Sequence, residues 1–329
     1  MKKEINSFIF LASKGLYCPD ADIWIDPIKP VKNAIITHAH FDHVSIGCET
    51  YICSSETGLI LKERLGDDII IKTYSYEEEF LLNGIKISLH PSGHILGSSQ
   101  VKFQVAGETW LITGDFKLEK DETCAPFKRL ETDVLICEST FGLPIFNWDN
   151  NQEIGDDISN WINSSRESSS ILFCYTLGKA QRLLSKLKNS NIKEIYCHKS
   201  ISKINSIYRR IGINIIETKI FEKNSKNESK EGSLFLLPPS LNNKRFLKRF
   251  DNYQTAFASG WMSIRALRKR SGFDKGFILS DHADWNALVK TIKESKATKV
   301  FLNHGDGENL AKFLNETENI DIEELKFSR

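Results

Sequence analysis

Three histidines and one aspartate lie within six residues of this chain, in the segment 37–43, which reads THAHFDH. Neutral imidazole and carboxylate groups are ligands for zinc, and they also suit manganese or iron. Because side chains alternate along an extended backbone, His38 and His40 can point to one side while Asp42 and His43 turn toward a second position. The spacing therefore favours two adjacent divalent metal ions over one.

Further candidate ligands stand where other apolar runs end. They are His94 after KISLHPSGH, Asp115 after TWLITGD, and His304 after KVFLNHG. Taken singly, a histidine of this kind is more often a satisfied core residue, and Asp115 reads equally well as a turn residue or helix cap. The chain has only eight histidines, however, and polar residues at the exits of several strands are typical of a site at one rim of a sheet. Together they favour a metal site over a chance surface cluster.

The elements that must position these residues follow from the apolar pattern. Residues 8–140 consist mainly of short apolar runs separated by turn signals, and VKFQVAGETWLIT has the alternation of a hairpin. After Gly142, helical stretches alternate with strands, which predicts a parallel α/β sheet. Near Gly276 the pattern changes again, to strand, helix, strand, helix. The sequence therefore predicts an α/β protein with a mainly β first part.

Composition sets wider bounds on the class of protein. The 329 residues are 40% hydrophobic and 26% charged, which excludes a disordered chain, a collagen-like repeat and a disulfide-stapled miniprotein. The formal net charge is +1, but Lys244–Arg270 carries eight basic residues and one acidic residue, so the remaining chain sums to −6. Aromatic residues interleave with these charges, as in a track for a polyanion. A solvated helix face with core aromatics is the simpler alternative.

The N-terminal apolar stretch is too short for a signal peptide, and no window approaches the roughly 20 apolar residues that span a bilayer. The seven cysteines form no CxxC pair, and several lie in apolar, strand-like runs. We therefore expect reduced, mostly buried thiols, a cytoplasmic location and no membrane association.

The motifs HAHFDH, GHILGS and TGD, in this order, resemble the metallo-β-lactamase fold, an αββα sandwich. The resemblance implies that His38, His40 and His94 hold one metal and that Asp42, His43 and His304 hold the other. Asp115 would bridge the two ions. Asp26, in WIDP, matches the family's early aspartate, which supports the loop that carries the clustered histidines. We call this loop, residues 37–43, the histidine loop. The alternative is that Asp26 is simply a turn residue before a proline.

Three later motifs resemble motifs A, B and C of the β-CASP nucleases: ESTFG (138–142), SDHAD (280–284) and NHG (303–305). This resemblance implies a metallo-β-lactamase domain in two parts, 1–145 and 269–329, around a β-CASP α/β domain at 146–268. Catalytic roles would then fall to Asp42, Asp115, Glu138 and His282, with Glu138 orienting His282 at the scissile phosphate. Lys179, at a helix start, would bind phosphate, with an ordinary solvated lysine as the alternative. Nucleic acid would also contact Arg265 and Arg268.

Over nearly its whole length the chain resembles the bacterial ligase-associated DNA exonucleases, which are encoded near an ATP-dependent DNA ligase and an Lhr-type helicase. The resemblance implies a DNA exonuclease that acts on single-stranded ends in DNA repair. It would use hydroxide activated by two divalent metals, zinc or manganese. The ligase and the helicase would be functional partners.

Three alternatives remain open at this point. Motif C carries histidine, as in β-CASP enzymes that process RNA, so a ribonuclease of the RNA 3′-end processing type is the first alternative. A small-molecule metallohydrolase is less favoured because of the long insertion and motifs B and C. A catalytically inactive scaffold is less favoured because every expected ligand position is filled.

Overall fold

A computed structural model describes residues 8–148, 153–221, 230–270, 272–305, 307–318 and 320–325. These residues form a mixed α/β structure with three sheets. The chain divides into two compact units: unit 1 comprises Met1–Ile145 and His282–Arg329, and unit 2 is the continuous segment Phe146–Asp281. Strands and helices are numbered below along the whole chain.

The first sheet of unit 1 has six strands in chain order. They are β1 (Phe10–Ala12), β2 (Gly15–Cys18), β3 (Ile23–Ile25), β4 (Asn33–Ile35), β5 (Thr50–Ser54) and β6 (Ile71–Tyr74). The strands from β3 to β6 run parallel, so their carboxyl ends meet at one edge. Helix α1 (Ser55–Leu65) begins at that edge, where the Ser54 hydroxyl accepts the Thr57 N–H as a helix cap.

The second sheet of unit 1 has the order β19-β18-β11-β10-β9-β8-β7. Its strands are β7 (Glu79–Leu82), β8 (Ile85–Pro91), β9 (Ser99–Val105), β10 (Glu108–Ile112), β11 (Val134–Ser139), β18 (Lys299–Gly305) and β19 (Asp321–Glu324). Strands β9 and β10 form the predicted hairpin, with Val105 opposite Glu108. Strands β10, β11 and β18 are parallel neighbours, so their carboxyl ends also lie together.

Alternation along the second sheet supplies two hydrophobic cores. Trp110, Ile112 and Ile136 pack with residues of the first sheet, so this core lies between the two sheets. Their neighbours Leu111 and Leu135 face the other way and pack against helices α7 (Trp285–Glu294) and α8 (Glu308–Thr317). The double layer of sheets is therefore a rigid base for loops at its rim.

Unit 2 contains a parallel sheet in the order β14-β13-β15-β12-β16-β17. Its strands are β12 (Ser169–Phe173), β13 (Ile195–Cys197), β14 (Lys219–Ile220), β15 (Leu234–Leu237), β16 (Tyr253–Ala258) and β17 (Lys275–Phe277). Its helices are α2 (Ile154–Asn163), α3 (Lys179–Lys186), α4 (Lys199–Arg210), α5 (Lys244–Leu247) and α6 (Arg265–Arg270), with two short 3-10 turns at Pro239–Leu241 and Gly260–Ser263. Helices alternate with strands from α2 to α4, as the apolar pattern predicts, and the next described elements are the short, unpredicted strand β14 and the predicted strand β15.

The chain re-enters unit 1 at His282. The sequence predicts this boundary at residue 269. The difference has a physical cause in β17, which pairs with β16 through Ala256–Lys275, Phe257–Gly276 and Ala258–Phe277. This ladder holds the segment before His282 in the sheet of unit 2.

No helix within the described ranges is long and apolar enough to cross a membrane. All seven cysteines are free thiols, and all except the half-buried Cys124 are buried.

Candidate metal centre

The predicted metal ligands of unit 1, with Asp26 as their predicted support, stand at one rim of its two sheets, after the carboxyl ends of strands. The strands and the residues that follow or end them are β3 with Asp26, β4 with His38 and His40, β8 with His94, β10 with Asp115, and β18 with His304. The loop after β10 touches the loop after β4 at Gly114, which has φ 54°. A Cβ at this position would lie only 2.8 Å from Thr37 Cβ, too close for two carbon atoms, so the contact requires glycine.

A first cluster joins His38, His40, His94 and Asp115, whose ligand atoms all lie within 4.8 Å of one another. Nδ1 of His40 lies 3.2 Å from Nε2 of His38 and 3.1 Å from Nε2 of His94, and His38 Nε2 lies 3.5 Å from Asp115 Oδ2. Ligands about 2.1 Å from a tetrahedral zinc ion are about 3.4 Å apart. The donor set and its spacing therefore fit a divalent metal ion.

A second cluster joins His43, Asp115 and His304. His43 Nε2 lies 3.4 Å from Asp115 Oδ2, and the rings of His43 and His304 stack with centroids 4.4 Å apart. Neither His43 Nε2 nor Asp115 Oδ1 has a hydrogen-bond partner among the described residues, although both atoms are buried. Buried polar atoms without partners are costly, and a cation at this position would satisfy both. The two clusters share Asp115.

Asp42 is less closely placed than the other predicted ligands. Its carboxylate is 70% exposed, and Oδ2 lies 3.9 Å from His43 Nε2, outside the clusters found among the described residues. Rotation about its side-chain bonds is the movement that would bring this carboxylate to the second cluster. Its role as a ligand stays a prediction.

Asp26 supports the histidine loop through three hydrogen bonds. Oδ1 accepts the Thr37 N–H at 2.8 Å, while Oδ2 accepts the Thr37 hydroxyl at 2.6 Å and contacts His43 Nδ1 at 2.7 Å. The backbone of Asp26 has φ 43°, which is uncommon outside glycine. A carboxylate behind a ligating imidazole fixes the orientation of the ring and raises its basicity.

Replacement of Asp26 by asparagine is expected to weaken metal binding at the second cluster by about 10- to 100-fold, because the amide cannot supply the same charge to His43. Competition with a zinc chelator measures this affinity. Asp22→Asn is the matched control, because Asp22 precedes β3, also has positive φ, and contacts only Tyr17 through its carboxylate among the hydrogen bonds described. Equal zinc affinity in Asp26→Asn and wild type would contradict a supporting role.

A third group contains Asp115, Glu138 and His282. His282 Nδ1 lies 2.9 Å from Glu138 Oε2 and 3.8 Å from Asp115 Oδ2. Glu138 is itself held in place, since Oε1 accepts the Phe116 N–H at 2.5 Å and Oε2 accepts the Thr140 hydroxyl at 2.6 Å. The imidazole is therefore oriented beside the shared carboxylate while its side chain keeps 23% exposure.

Charge and burial set the protonation of the cluster. Burial lowers the pKa of His38 well below its usual range, and the charge of His43 lowers it further, so His38 is neutral. Burial would raise the pKa of Asp115, but the charges of His43 and His282 hold it well below its usual range. Burial favours neutral His43 as well, yet Asp115 and Asp26 outweigh it and raise the pKa of His43 well above its usual range. Metal binding is therefore expected to release a proton from His43.

A cleft of about 350 Å³ opens in unit 1 beside the second cluster. Apolar side chains such as Ile25, Ile112 and Ile136 form part of its lining, and His43 and His304 lie on the same cleft. The metal cluster is therefore accessible to a ligand from one side.

In unit 2, Lys179 differs from its predicted environment. Its side chain is buried, with Nζ 3.3 Å from Asp281 Oδ2 and 4.8 Å from the centre of the Tyr175 ring. Arg182 is also buried; it lies 3.7 Å from Asp281 Oδ1 and donates a hydrogen bond to the Ser280 carbonyl. The ammonium of Lys179 is therefore buried and already paired with a carboxylate. Its phosphate contact stays a prediction.

Arg265 and Arg268 lie on the exposed helix α6 of unit 2. In the same basic segment, Phe246 and Phe250 pack in the core with Phe221 and Phe235, and the Arg249 guanidinium lies 5.0 Å from the Phe221 ring. Phe246 and Phe250 thus belong to the core, whereas Tyr253 and Trp261 of the same segment are 38% and 40% exposed, and most of its charges face solvent.

Several residues that support the site were not predicted. Thr37 and Thr140 stand next to the motifs HAHFDH and ES, and their hydroxyls bond Asp26 and Glu138, so adjacency was an available signal. Arg64 donates a hydrogen bond to the Ala39 carbonyl at 2.6 Å from the last turn of α1. Nothing in the local sequence around Arg64 indicates that contact.

Comparison with known proteins found no matching protein-family model. The chain is similar to a protein named "Probable DNA ligase" from Opitutus terrae, with 30% identity over 92% of this chain and 30% of that protein. It is 26% identical to "Endoribonuclease YSH1" from Eremothecium gossypii, over 56% of this chain and 24% of that protein. It is 27% identical to an "RNase J-like protein" from Methanocaldococcus jannaschii, over 49% of this chain and 44% of that protein.

The chain thus spans less than half the length of each of these relatives. Two of them carry the names of ribonucleases, which supports the resemblance to β-CASP nucleases. Among solved structures, a protein of unknown function from Enterococcus faecalis V583 has a similar fold, with a TM-score of 0.59 and 13% identity over 90% of this chain and 79% of that chain.

Proposed function

We propose that the protein is a metal-dependent phosphodiesterase of the β-CASP nuclease type that cleaves DNA, as an exonuclease on single-stranded ends in DNA repair. The observation that carries the proposal is the convergence on Asp115, which belongs to both histidine clusters and to the group with Glu138 and His282. In this proposal unit 1 is an αββα metallo-β-lactamase domain and unit 2 is the β-CASP domain inserted into it.

One divalent ion, zinc or manganese, would be held by His38, His40 and His94, and a second by Asp42, His43 and His304. Asp115 lies within reach of both sets. When bound, such a pair of ions lowers the pKa of water to about 7 and neutralises charge on the attacked phosphate. The chain itself supplies the orientation of these ligands through Asp26 and its bonds to Thr37 and His43.

His282 would give a proton to the oxygen that leaves the phosphorus. Glu138 contacts Nδ1 of His282 and would fix the ring and favour its protonated form, as a carboxylate does beside a general acid. The backbone N–H of Phe116 and the hydroxyl of Thr140 hold Glu138 in that position. The apolar residues of the adjoining cleft would limit access of bulk water.

The choice between DNA and RNA rests on two kinds of support. The protein named as a probable DNA ligase contains a segment similar to 92% of this chain, which supports action on DNA and a functional association with a ligase. A ribonuclease of the RNA 3′-end processing type is the second candidate, supported by the names of the Ysh1 and RNase J-like relatives and by His304 at motif C.

Nucleic acid would also contact the exposed Arg265 and Arg268 of α6. An ATP-dependent DNA ligase and an Lhr-type helicase are the proposed functional partners. The seven free thiols fit the proposed cytoplasmic location, since thiols stay reduced there.

Digestion of matched DNA and RNA strands, labelled at the 5′ or the 3′ end and supplied with zinc or manganese, tests the proposal. We expect a ladder from single-stranded DNA, little product from RNA, and none from either after chelation of the metal. Faster cleavage of RNA would favour the second candidate. Hydrolysis of a chromogenic β-lactam or ester without cleavage of either strand would contradict a nuclease.

A further inference from the structure

Phe41 is the most exposed aromatic side chain among the described residues, with 60% of its surface open to solvent. It stands inside the histidine loop, between His40 and Asp42. Adjacent Cα atoms are about 3.8 Å apart, so the ring starts one residue from two predicted ligand positions. The metal cluster does not need an aromatic residue here, and exposure of a large apolar ring is unfavourable unless something covers it.

Arg64 holds this ring in one orientation. Its guanidinium carbon lies 4.4 Å from the centre of the Phe41 ring, and its Nη1 donates a 2.6 Å hydrogen bond to the Ala39 carbonyl in the same loop. The guanidinium therefore covers one face of the ring, and the exposed surface belongs to its other face and edge. A flat apolar face presented in a fixed orientation suits stacking more than general hydrophobic contact.

On the basis of the proposed nuclease function, we propose that Phe41 is a stacking platform for a nucleobase next to the cleaved bond. A base there is bound by its π-face, so the contact is independent of sequence, as expected of an enzyme that removes nucleotides of any kind from a strand end. Arg64 acts as a positioning residue because it holds the ring and the loop together. A stacked base would keep the neighbouring phosphate beside the metal ligands that flank Phe41.

The test compares intact DNA strands with strands that carry a single abasic nucleotide. In three such strands the abasic nucleotide stands at the first, second or third position from the cleaved end. In wild type, loss of the stacked base is expected to lower kcat/KM by about 5- to 150-fold at one of these positions. In Phe41→Ala the intact strand should already show that loss, and the abasic strand should lose nothing more. Phe41→Tyr should behave as wild type, while Phe41→Leu, which keeps an apolar side chain without a π-face, should resemble Phe41→Ala.

Ile70→Ala is the matched control. Ile70 is 61% exposed, but it precedes β6 and so lies at the opposite edge of the parallel strands from the histidine loop. Metal content of each variant, measured by mass spectrometry, shows whether the loop still binds metal. Equal abasic penalties in wild type and Phe41→Ala would overturn the proposal, and so would a loss of metal from both Phe41→Ala and Phe41→Leu, because Phe41 would then support the loop.

A measurement of DNA binding without cleavage tests this inference independently of the proposed function. In the metal-loaded His282→Ala background, fluorescence anisotropy with a labelled 12-nucleotide thymidine strand and its abasic counterpart gives dissociation constants without cleavage. A base-dependent affinity that disappears with Phe41→Ala supports the platform even if the wild-type protein cleaves neither DNA nor RNA. Base-independent affinity overturns the platform even if the protein is a nuclease.

Discussion

Replacement of Asp115 by asparagine is expected to slow strand cleavage by about a thousandfold or more and to remove both metal ions. The carboxylate belongs to all three groups at the site, and each such charge contributes several kcal/mol to a two-metal reaction. The amide carries no charge, so it cannot offset two neighbouring cations. Single-turnover kinetics and metal analysis of the purified variant measure the two effects.

Asp133→Asn is the matched control for this substitution. Asp133 immediately precedes β11, so it lies at the opposite end of that strand from Glu138, and its Oδ2 accepts the Thr109 N–H at 2.7 Å. We expect wild-type metal content and cleavage from this control. Two bound metal equivalents in a slow Asp115→Asn variant would mean that Asp115 acts in the reaction without holding metal, and wild-type cleavage would refute its role.

Replacement of His282 by alanine is expected to lower kcat on DNA by about 10²- to 10⁴-fold, the usual contribution of a general acid. Metal content should stay at the wild-type level, because His282 lies outside both histidine clusters. On bis(p-nitrophenyl) phosphate, whose leaving group needs no proton, the same variant should retain most of its activity. The comparison of the two substrates isolates proton transfer from substrate binding.

Glu138→Gln provides the companion variant. The amide can still bond the Thr140 hydroxyl but cannot stabilise a protonated His282, so its defect should follow the same pattern to a smaller extent. If His282→Ala were equally slow on both substrates, the histidine would act on binding or on metal geometry and not as a proton donor.

The positions of many site residues can be predicted from the sequence, because they depend on local patterns in the chain. Asp115 and His304 come at the ends of apolar runs, and parallel neighbouring strands bring their carboxyl ends to one edge. His38, His40 and His43 are close together in the chain, so one loop carries them all. Alternation along β10 and β11 likewise predicts which residues face the core.

What the sequence does not reveal depends on contacts between distant segments. The sequence predicts a phosphate contact for Lys179, with an ordinary solvated lysine as the alternative, yet Asp281 lies beside it from far along the chain. The contact between Arg64 and Phe41 requires the end of α1 to approach the histidine loop, which no local pattern encodes. The boundary at His282 depends on the sheet that the predicted strand near Gly276 joins, and no local pattern shows that β17 pairs with β16.

Metal titration of the stripped protein, with the rate of DNA cleavage followed after each addition, tests the central claim most directly. The claim is that two divalent ions bind around Asp115 and that both are needed for hydrolysis of the phosphodiester. We predict little cleavage at one equivalent of zinc or manganese, full cleavage at two, and none at any ratio for Asp115→Asn. Full cleavage by the stripped protein before any metal is added would contradict the claim.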